Sequence, residues 1–403
     1  MPILKHDVAI IGAGPAGILA SIEPARSGFD VQVFEEHESI GKPDHCAGLL
    51  STSGLRTLGL QPPKEVIQNQ VIGAKIFSPS GKSILIERGQ REALVVNRVA
   101  FDRWLAQKAM NNGVKIQTSS KIMSVRKYGD DWMAYSKEKN GENQILARKI
   151  VNAEGVRGQI SRMIGFPYVP RKNKMLAYQF EMKNVDTHED LVEMYYDNRI
   201  APGFFAWLIP LGEGKARVGL AARDYSKTRL KAAIKHHPIL GKHLHRAQIE
   251  RGFGGVVLVG LPIRRTVRDD ALVVGDAAGV VKATTGGGVI FGGIMSKLAG
   301  TYLKYSLDSA PDGQKKLEKF EHVWRSFLMK DLYAMYVAQK FIGSLTNKGL
   351  DSLIGDAAEL GLIGTVKQEG DMDRQGRVIT KLLGNPKTIL AGLKAIRYIK
   401  LNV

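Results

Sequence analysis

The run Val8-Ala-Ile-Ile11 is unbroken, apolar and rich in β-branched residues, and it stops at Gly12. Such a run predicts a parallel strand buried on both faces. A short helical stretch follows, Ser27-Gly28 stops it, and residues 31–34 predict a second strand. Strand patterns recur at 72–77, 83–87 and 93–96, broken by Pro79-Ser-Gly81. Residues 99–109 have helical spacing and close on Asn111-Asn112-Gly113. Strands are expected at 114–118 and 122–125, then a hairpin over 132–146 turning at Lys139-Asn140-Gly141, then a separate strand from Lys149. From about 170 to 262 the pattern becomes short and alternating (176–183, 192–196, 204–210 and 216–221), which predicts an antiparallel sheet.

Chemistry enters at the first strand's end. In Gly12-x-Gly14-x-x-Gly17, Gly12 permits a tight turn and Gly14 lets backbone N–H groups approach a pyrophosphate. Gly17 lets the helix lie close on the sheet, and the helix N-terminus favours phosphate. The second strand ends at Glu35, near the spacing expected of a carboxylate that holds ribose hydroxyls. Strand, glycines, helix, strand and acid in this order predict a dinucleotide site. A second such device follows: Gly275-Asp276-Ala-Ala-Gly279, then Gly286-Gly-Gly288-Val289, opening a helix to about residue 305. Two glycine–helix devices suit one extended cofactor held at both ends, and FAD fits better than a nicotinamide dinucleotide.

Composition narrows the class. A chain of 403 residues that is 44% hydrophobic forms a large folded core. Its single cysteine excludes an internal disulfide and a cysteine-ligated cluster. The start Met1-Pro-Ile-Leu-Lys-His carries no leader pattern, and no stretch is apolar enough to span a bilayer, so a cytoplasmic protein is expected. The net charge of +19 suits an anionic membrane, a phosphorylated substrate, an acidic donor protein or a plain solvated surface. No nucleic-acid-binding motif accompanies it. His236, His237, His243 and His245 lack zinc spacing and are read as surface residues; no metal site is expected.

Arg98 opens a helix, where it holds a phosphate or ribose or is an ordinary surface charge. Cys46 lies on a loop, Lys42-Pro43-x-x-Cys46-Ala47-Gly48, that leaves the second strand, and is either near the cofactor ring or a small buried hydrophobe. The last hundred residues are helical and basic. Ile389, Leu393, Ile396 and Ile399 share one side of a projected helix, which suits either a membrane interface or packing on the protein.

Taken together, Gly12-x-Gly14-Pro-Ala-Gly17, Glu35, Arg98 and Gly275-Asp276-Ala-Ala-Gly279 resemble the p-hydroxybenzoate hydroxylase-like FAD superfamily. Lys42-Pro43-x-x-Cys46-x-Gly48 and Phe205-x-Trp207-x-Ile209-Pro210 are similar to the KPxxCxG and YxWxFP motifs of its geranylgeranyl reductase family. Phe205 and Ile209 depart from the second motif toward the WxWxIP of halogenases, and Glu154-Gly155 and Gly158 stand where Asp-Gly and serine are usual.

The resemblance implies an α/β fold with a Rossmann-like FAD-binding domain over 1–75, 97–165 and 265–305. An inserted antiparallel sheet for substrate covers 76–96 and 166–264, and a basic helical region covers 306–403. It implies that Gly12, Gly14, Ala16 and Gly17 meet the pyrophosphate and Glu35 the adenosine ribose. Arg98 and Ile122 support the adenylate half, Asp276 the ribityl chain or pyrophosphate, and Gly288 and Val289 the pyrimidine edge. Cys46, Ala47 and Gly48 lie by the flavin, with Cys46 the catalytic candidate, and Phe205 and Trp207 line a lipid cavity. The implied reaction saturates carbon–carbon double bonds of geranylgeranyl chains in a polyprenyl lipid, by hydride from reduced flavin. An external donor (ferredoxin, reduced deazaflavin or NAD(P)H) supplies the electrons, and the inner face of the membrane is the expected workplace. The rival readings are a flavin monooxygenase or halogenase acting on a small aromatic compound, and a membrane-binding adaptor.

Overall fold

The computed structural model describes residues 3–139, 141–309, 312–360, 364, 372–373 and 375–400. Its first sheet has eight strands. The parallel core runs Ala271–Val273, Gly141–Asn152, Ile3–Ile11, Val31–Phe34, Lys115–Gln117, with Val267–Arg268 antiparallel at one edge. Val8, Ile10, Val31, Val33, Ile150 and Leu272 are fully enclosed, as expected of strands covered on both faces. The helices Pro15–Arg26 and Val289–Asp308 pack together beside this sheet; a side chain at Gly300 would come within 2.8 Å of the Ala20 carbonyl.

One expectation is corrected here. The hairpin's return and the strand from Lys149 are a single strand, Gly141–Asn152. Its residues 141–147 pair with Asp131–Glu138, and residues 144–152 pair with Ile3–Ile11, so the two sets of partners share one long ribbon. The charged pair Arg148-Lys149 resembles a break in sequence, but Arg148 bonds Asp7 at 3.0 Å and Lys149 bonds Asp270. Asn140 of the expected turn lies outside the described residues.

A second sheet has seven strands in the order Gln248–Leu258, Lys174–Lys183, Lys215–Ala222, Ala206–Gly212, Leu191–Tyr195, Gly73–Phe77, Ser83–Glu87. It is antiparallel throughout except where Leu191–Tyr195 meets Gly73–Phe77 in parallel. Strand alternation divides its two faces. Phe77, Tyr195, Leu208, Val218 and Leu220 form an outer core with Leu230 and Ala233 of the helix Ser226–His236. Val192, Phe205, Trp207 and Ile209 point the other way, with Met194 and Tyr196 against them. A small sheet, Leu49–Ser51, Ala93–Val96 and Ile67–Val71, sits at the junction.

The long helix Gly313–Ser344 buries Leu317, Phe320, Trp324, Leu328, Leu332 and Met335, a stripe at helical spacing. Trp324 donates its indole N–H to Thr266 at 3.0 Å. Beyond it lie Asn347–Glu359, Gln375–Leu383 and Pro386–Ile396. No helix among the described residues is long and apolar enough to cross a membrane.

Candidate cofactor and substrate site

Both glycine devices and the inward face of the seven-stranded sheet open on one cavity of about 800 Å³. Gly12, Gly14, Ala16, Glu35, Cys46, Ala47, Gly48, Arg98, Ile122, Phe205, Trp207, Asp276, Gly288 and Val289 all line it. Gly17 does not. A Cβ there would stand 2.0 Å from the Gly12 carbonyl oxygen, so Gly17 serves the contact between helix and loop.

At the first device, Gly12 has φ +104°, and a side chain would meet the Ala153 carbonyl at 2.5 Å. Gly14 differs: nothing lies within 4 Å of where its Cβ would be, so its backbone faces open cavity. The Glu35 carboxylate accepts from the Ala13 amide at 2.9 Å and contacts the His37 ring at 2.6 Å. It therefore braces the glycine loop from within the site. Glu154 explains its own departure from the family pattern. Its carboxylate accepts from the amides of Gln159, Ile160 and Ser161 at 2.7–2.9 Å, capping the helix Gln159–Met163.

Arg98 is not a surface charge. It is buried, makes a bidentate pair with Asp102 at 2.9–3.1 Å, and stands beside Cys46. Burial alone would weaken its hold on the proton, but Asp102 and the Cys46 sulfur outweigh that and keep the guanidinium charged. Cys46 is half-buried on the cavity wall. The Asp276 backbone carbonyl accepts from the Gly279 amide at 3.0 Å, but its carboxylate has no hydrogen-bond partner among the described residues. Burial raises its carboxyl pKa above the usual aspartate range, and His45 and Arg98 pull it only partly back.

The apolar end is a wall of alternating strand positions. Val192, Met194, Phe205, Trp207 and Ile209 line it, with Ala338 and Ile342 of the long helix and Val378 and Ile379 beyond. Tyr196 lies against Phe205, ring centroids 5.4 Å apart, and burial pushes its phenol well above the usual range. Trp207 donates to Gln179 at 3.3 Å. Lys282, also on the wall, pairs with Asp373 at 2.7 Å, and Ser51 donates to the same carboxylate. Residues 372–373 are thereby fastened to the second glycine device.

Sequence reasoning missed several of these groups. Tyr196 and Met194 were legible from period-two alternation with Val192. Arg217 carried no local signal. It is enclosed and donates to Glu181 and Ala47 at 2.9 Å and to Val96 at 3.1 Å. The histidine expectation is corrected at one position: His237 is buried, with Nδ1 accepting from the Leu240 amide at 3.1 Å and Nε2 facing Asp197 at 3.4 Å. No group of three or more metal-ligating side chains occurs among the described residues.

The family of FAD binding domains matches residues 5–292. A digeranylgeranylglycerophospholipid reductase of Methanothermobacter thermautotrophicus is 31% identical over 359 residues, covering 87% of this chain and 91% of that protein. The chain belongs to the FAD-binding flavoproteins, in the geranylgeranyl reductase family. A geranylgeranyl bacteriochlorophyll reductase-like structure from Thermoplasma acidophilum shares the fold of this family member, with a TM-score of 0.86 at 24% identity, over 98% of this chain and 100% of that one. A flavin-dependent brominase structure shares it at a TM-score of 0.72 and 18% identity, over 98% of both chains.

The cofactor of this flavoprotein is FAD, and the site fits it on its own geometry. Open space faces Gly14 at a helix N-terminus, suited to a pyrophosphate. The Asp276 carboxylate is an acceptor without a donor among the described residues, suited to a hydroxyl-bearing chain. The cavity is large and runs from these polar groups to an apolar wall.

Proposed function

We propose that this chain saturates isolated carbon–carbon double bonds in geranylgeranyl chains of isoprenoid membrane lipids. The observation that carries the reading is the single cavity, polar at the glycine devices and apolar along the seven-stranded sheet. The relative from M. thermautotrophicus is named a reductase of such a lipid, whereas the brominase shares only the fold, and this favours reduction over halogenation.

Residues 1–75, 97–165 and 265–305 hold FAD, residues 76–96 and 166–264 cover the substrate, and residues 306–403 form a basic helical region. Gly12, Gly14 and Ala16 receive the pyrophosphate at the helix N-terminus, with Gly17 setting the helix behind them. Glu35 takes the adenosine ribose, and Arg98 and Ile122 border the adenylate half. Asp276 accepts from the ribityl chain, Gly288 and Val289 meet the ring's pyrimidine edge, and Cys46, Ala47 and Gly48 border the flavin. When bound and reduced, FAD would supply a hydride to one alkene carbon, and an acid or an ordered water would supply the proton to the other.

An isolated alkene is a poor hydride acceptor, so the chain's contribution is placement and dryness. Phe205 and Trp207 hold the isoprenoid against the cofactor face, and Val192, Met194 and Ile209 exclude water around it. Electrons come from outside, through ferredoxin, a reduced deazaflavin or NAD(P)H.

A membrane surface supplies the lipid. Ala391 and Ala395 of the helix Pro386–Ile396 are buried, whereas Ile389, Leu390, Leu393 and Ile396 are 48–57% exposed. Lys387, Lys394 and Arg397 flank them, the pattern of an interfacial helix. Lys400 instead turns inward and bonds Asn198 at 2.6 Å. The test is single-turnover reduction of a geranylgeranyl lipid by chemically reduced protein, read by mass spectrometry.

A further inference from the structure

The loop Lys42–Gly48 carries the only cysteine of the chain and has no regular secondary structure. Something other than its own backbone must fix it. Glu181 lies near the C-terminal end of the strand Lys174–Lys183, directly across from Arg217 on one neighbouring strand and Arg251 on the other. Both guanidinium groups bond its carboxylate, Arg217 at 2.9 Å and Arg251 at 2.5 and 2.7 Å. Each then reaches the loop. Arg217 donates to the Ala47 carbonyl at 2.9 Å, and Arg251 donates to the Asp44 carboxylate at 2.9 Å.

We propose that Glu181, acting through Arg217 and Arg251, is a positioning residue that sets the Lys42–Gly48 loop, and Cys46 with it, against the cofactor. Arg217 also donates to Val96, two residues before Arg98, so the same guanidinium ties the loop to the start of the Arg98 helix. Gly48 is part of the fit: with φ +73°, a side chain there would meet Val96 O at 2.3 Å and Arg217 Nη1 at 2.6 Å. A guanidinium 1% exposed, paired to a carboxylate, is costly unless fully hydrogen-bonded, and here its remaining donors go to Ala47 of the loop, to Val96 and to the Gln68 side chain at 2.5 Å. The three charges stand on a sheet, which moves less than a loop, so the loop inherits the sheet's precision.

The assignment of the loop to the flavin rests on the proposed function, but the first readout below does not. Cys46 is the sole thiol, so its alkylation by iodoacetamide in the FAD-loaded full chain reports loop order directly. Asp44→Asn and Arg251→Gln cut the outer arm, where Arg251 is partly exposed and the fold is least at risk. Glu181→Gln cuts both arms.

Alkylation is expected to quicken about tenfold in each variant, and kcat for the lipid to fall roughly tenfold to a hundredfold, with Kd for FAD held within about twofold. Arg251→Lys should recover most of the loss. Wild-type alkylation rates in Asp44→Asn and Arg251→Gln would overturn the proposal, as would FAD affinity falling in step with kcat. If wild-type protein leaves the lipid unreduced, the function fails, and the alkylation rates still judge the clamp.

Discussion

The Trp207 indole lies against the backbone of Gly219 on the next strand, so closely that a Cβ there would be 2.5 Å from Cζ2. The same Cβ would be 2.6 Å from Gln179 Cβ, on the opposite neighbour. Gly219 is thus the seat that lets the indole stand where it does. Gly219→Ala should push Trp207 off this seat, cost about 1–3 kcal/mol of stability, and lower lipid turnover roughly tenfold. FAD content should be unchanged. Flavin absorbance and single-turnover rates check both halves of the expectation.

Asp276 is raised by burial, which fixes the sign of its pH effect in FAD-free protein. An acid with a raised folded pKa contributes its full share of stability below the unfolded value of about 4 and loses it as pH rises through the folded value. Asp276→Asn should therefore flatten the apoprotein's decline in Tm above that pH. In the same variant, FAD should bind about tenfold to a hundredfold more weakly, the scale of one charged hydrogen bond. Thermal melts across pH and FAD titration separate the two effects.

Asp197 carries the opposite sign. Burial would raise its pKa, but His237, Arg199 and Asn347 together hold the carboxyl well below the usual range. Its contribution is present above about pH 4 and is lost as pH falls toward the depressed value. Asp197→Asn leaves those partners around a neutral amide and should cost about 3 kcal/mol. Denaturant melts at pH 7 and pH 3 test this: the gap between wild type and variant should narrow in acid.

The helix Pro386–Ile396 turns its small residues inward and its large ones outward. Leu393→Glu combined with Ile396→Glu should abolish sedimentation with anionic vesicles while leaving turnover of detergent-dispersed lipid within about twofold, since surface changes away from packed contacts are near neutral. Vesicle binding equal to wild type would remove this helix from the membrane account.

The cofactor end was legible because its signal is local. Gly12, Gly14, Gly17 and Glu35 fall within one strand–helix–strand unit, where spacing alone sets geometry. The apolar wall was partly legible, since period-two alternation puts Phe205, Trp207 and Ile209 on one face. The clamp was not. Glu181 meets Arg217 and Arg251 only through the register of strands 36 and 70 residues away, which no local pattern encodes. His237 escaped for the same reason: Asp197 reaches it from the end of a distant strand. Glu154 reads as an anomaly in sequence and becomes intelligible only with the helix it caps.

Reduced FAD in this cavity is expected to hydrogenate an isoprenoid chain. The most direct measurement mixes dithionite-reduced protein, without oxygen, with a geranylgeranyl lipid, and follows flavin absorbance and lipid mass together. Stepwise gain of hydrogen pairs in the lipid is expected, in step with the return of oxidised flavin. Bound, reducible flavin beside an unchanged lipid would contradict it.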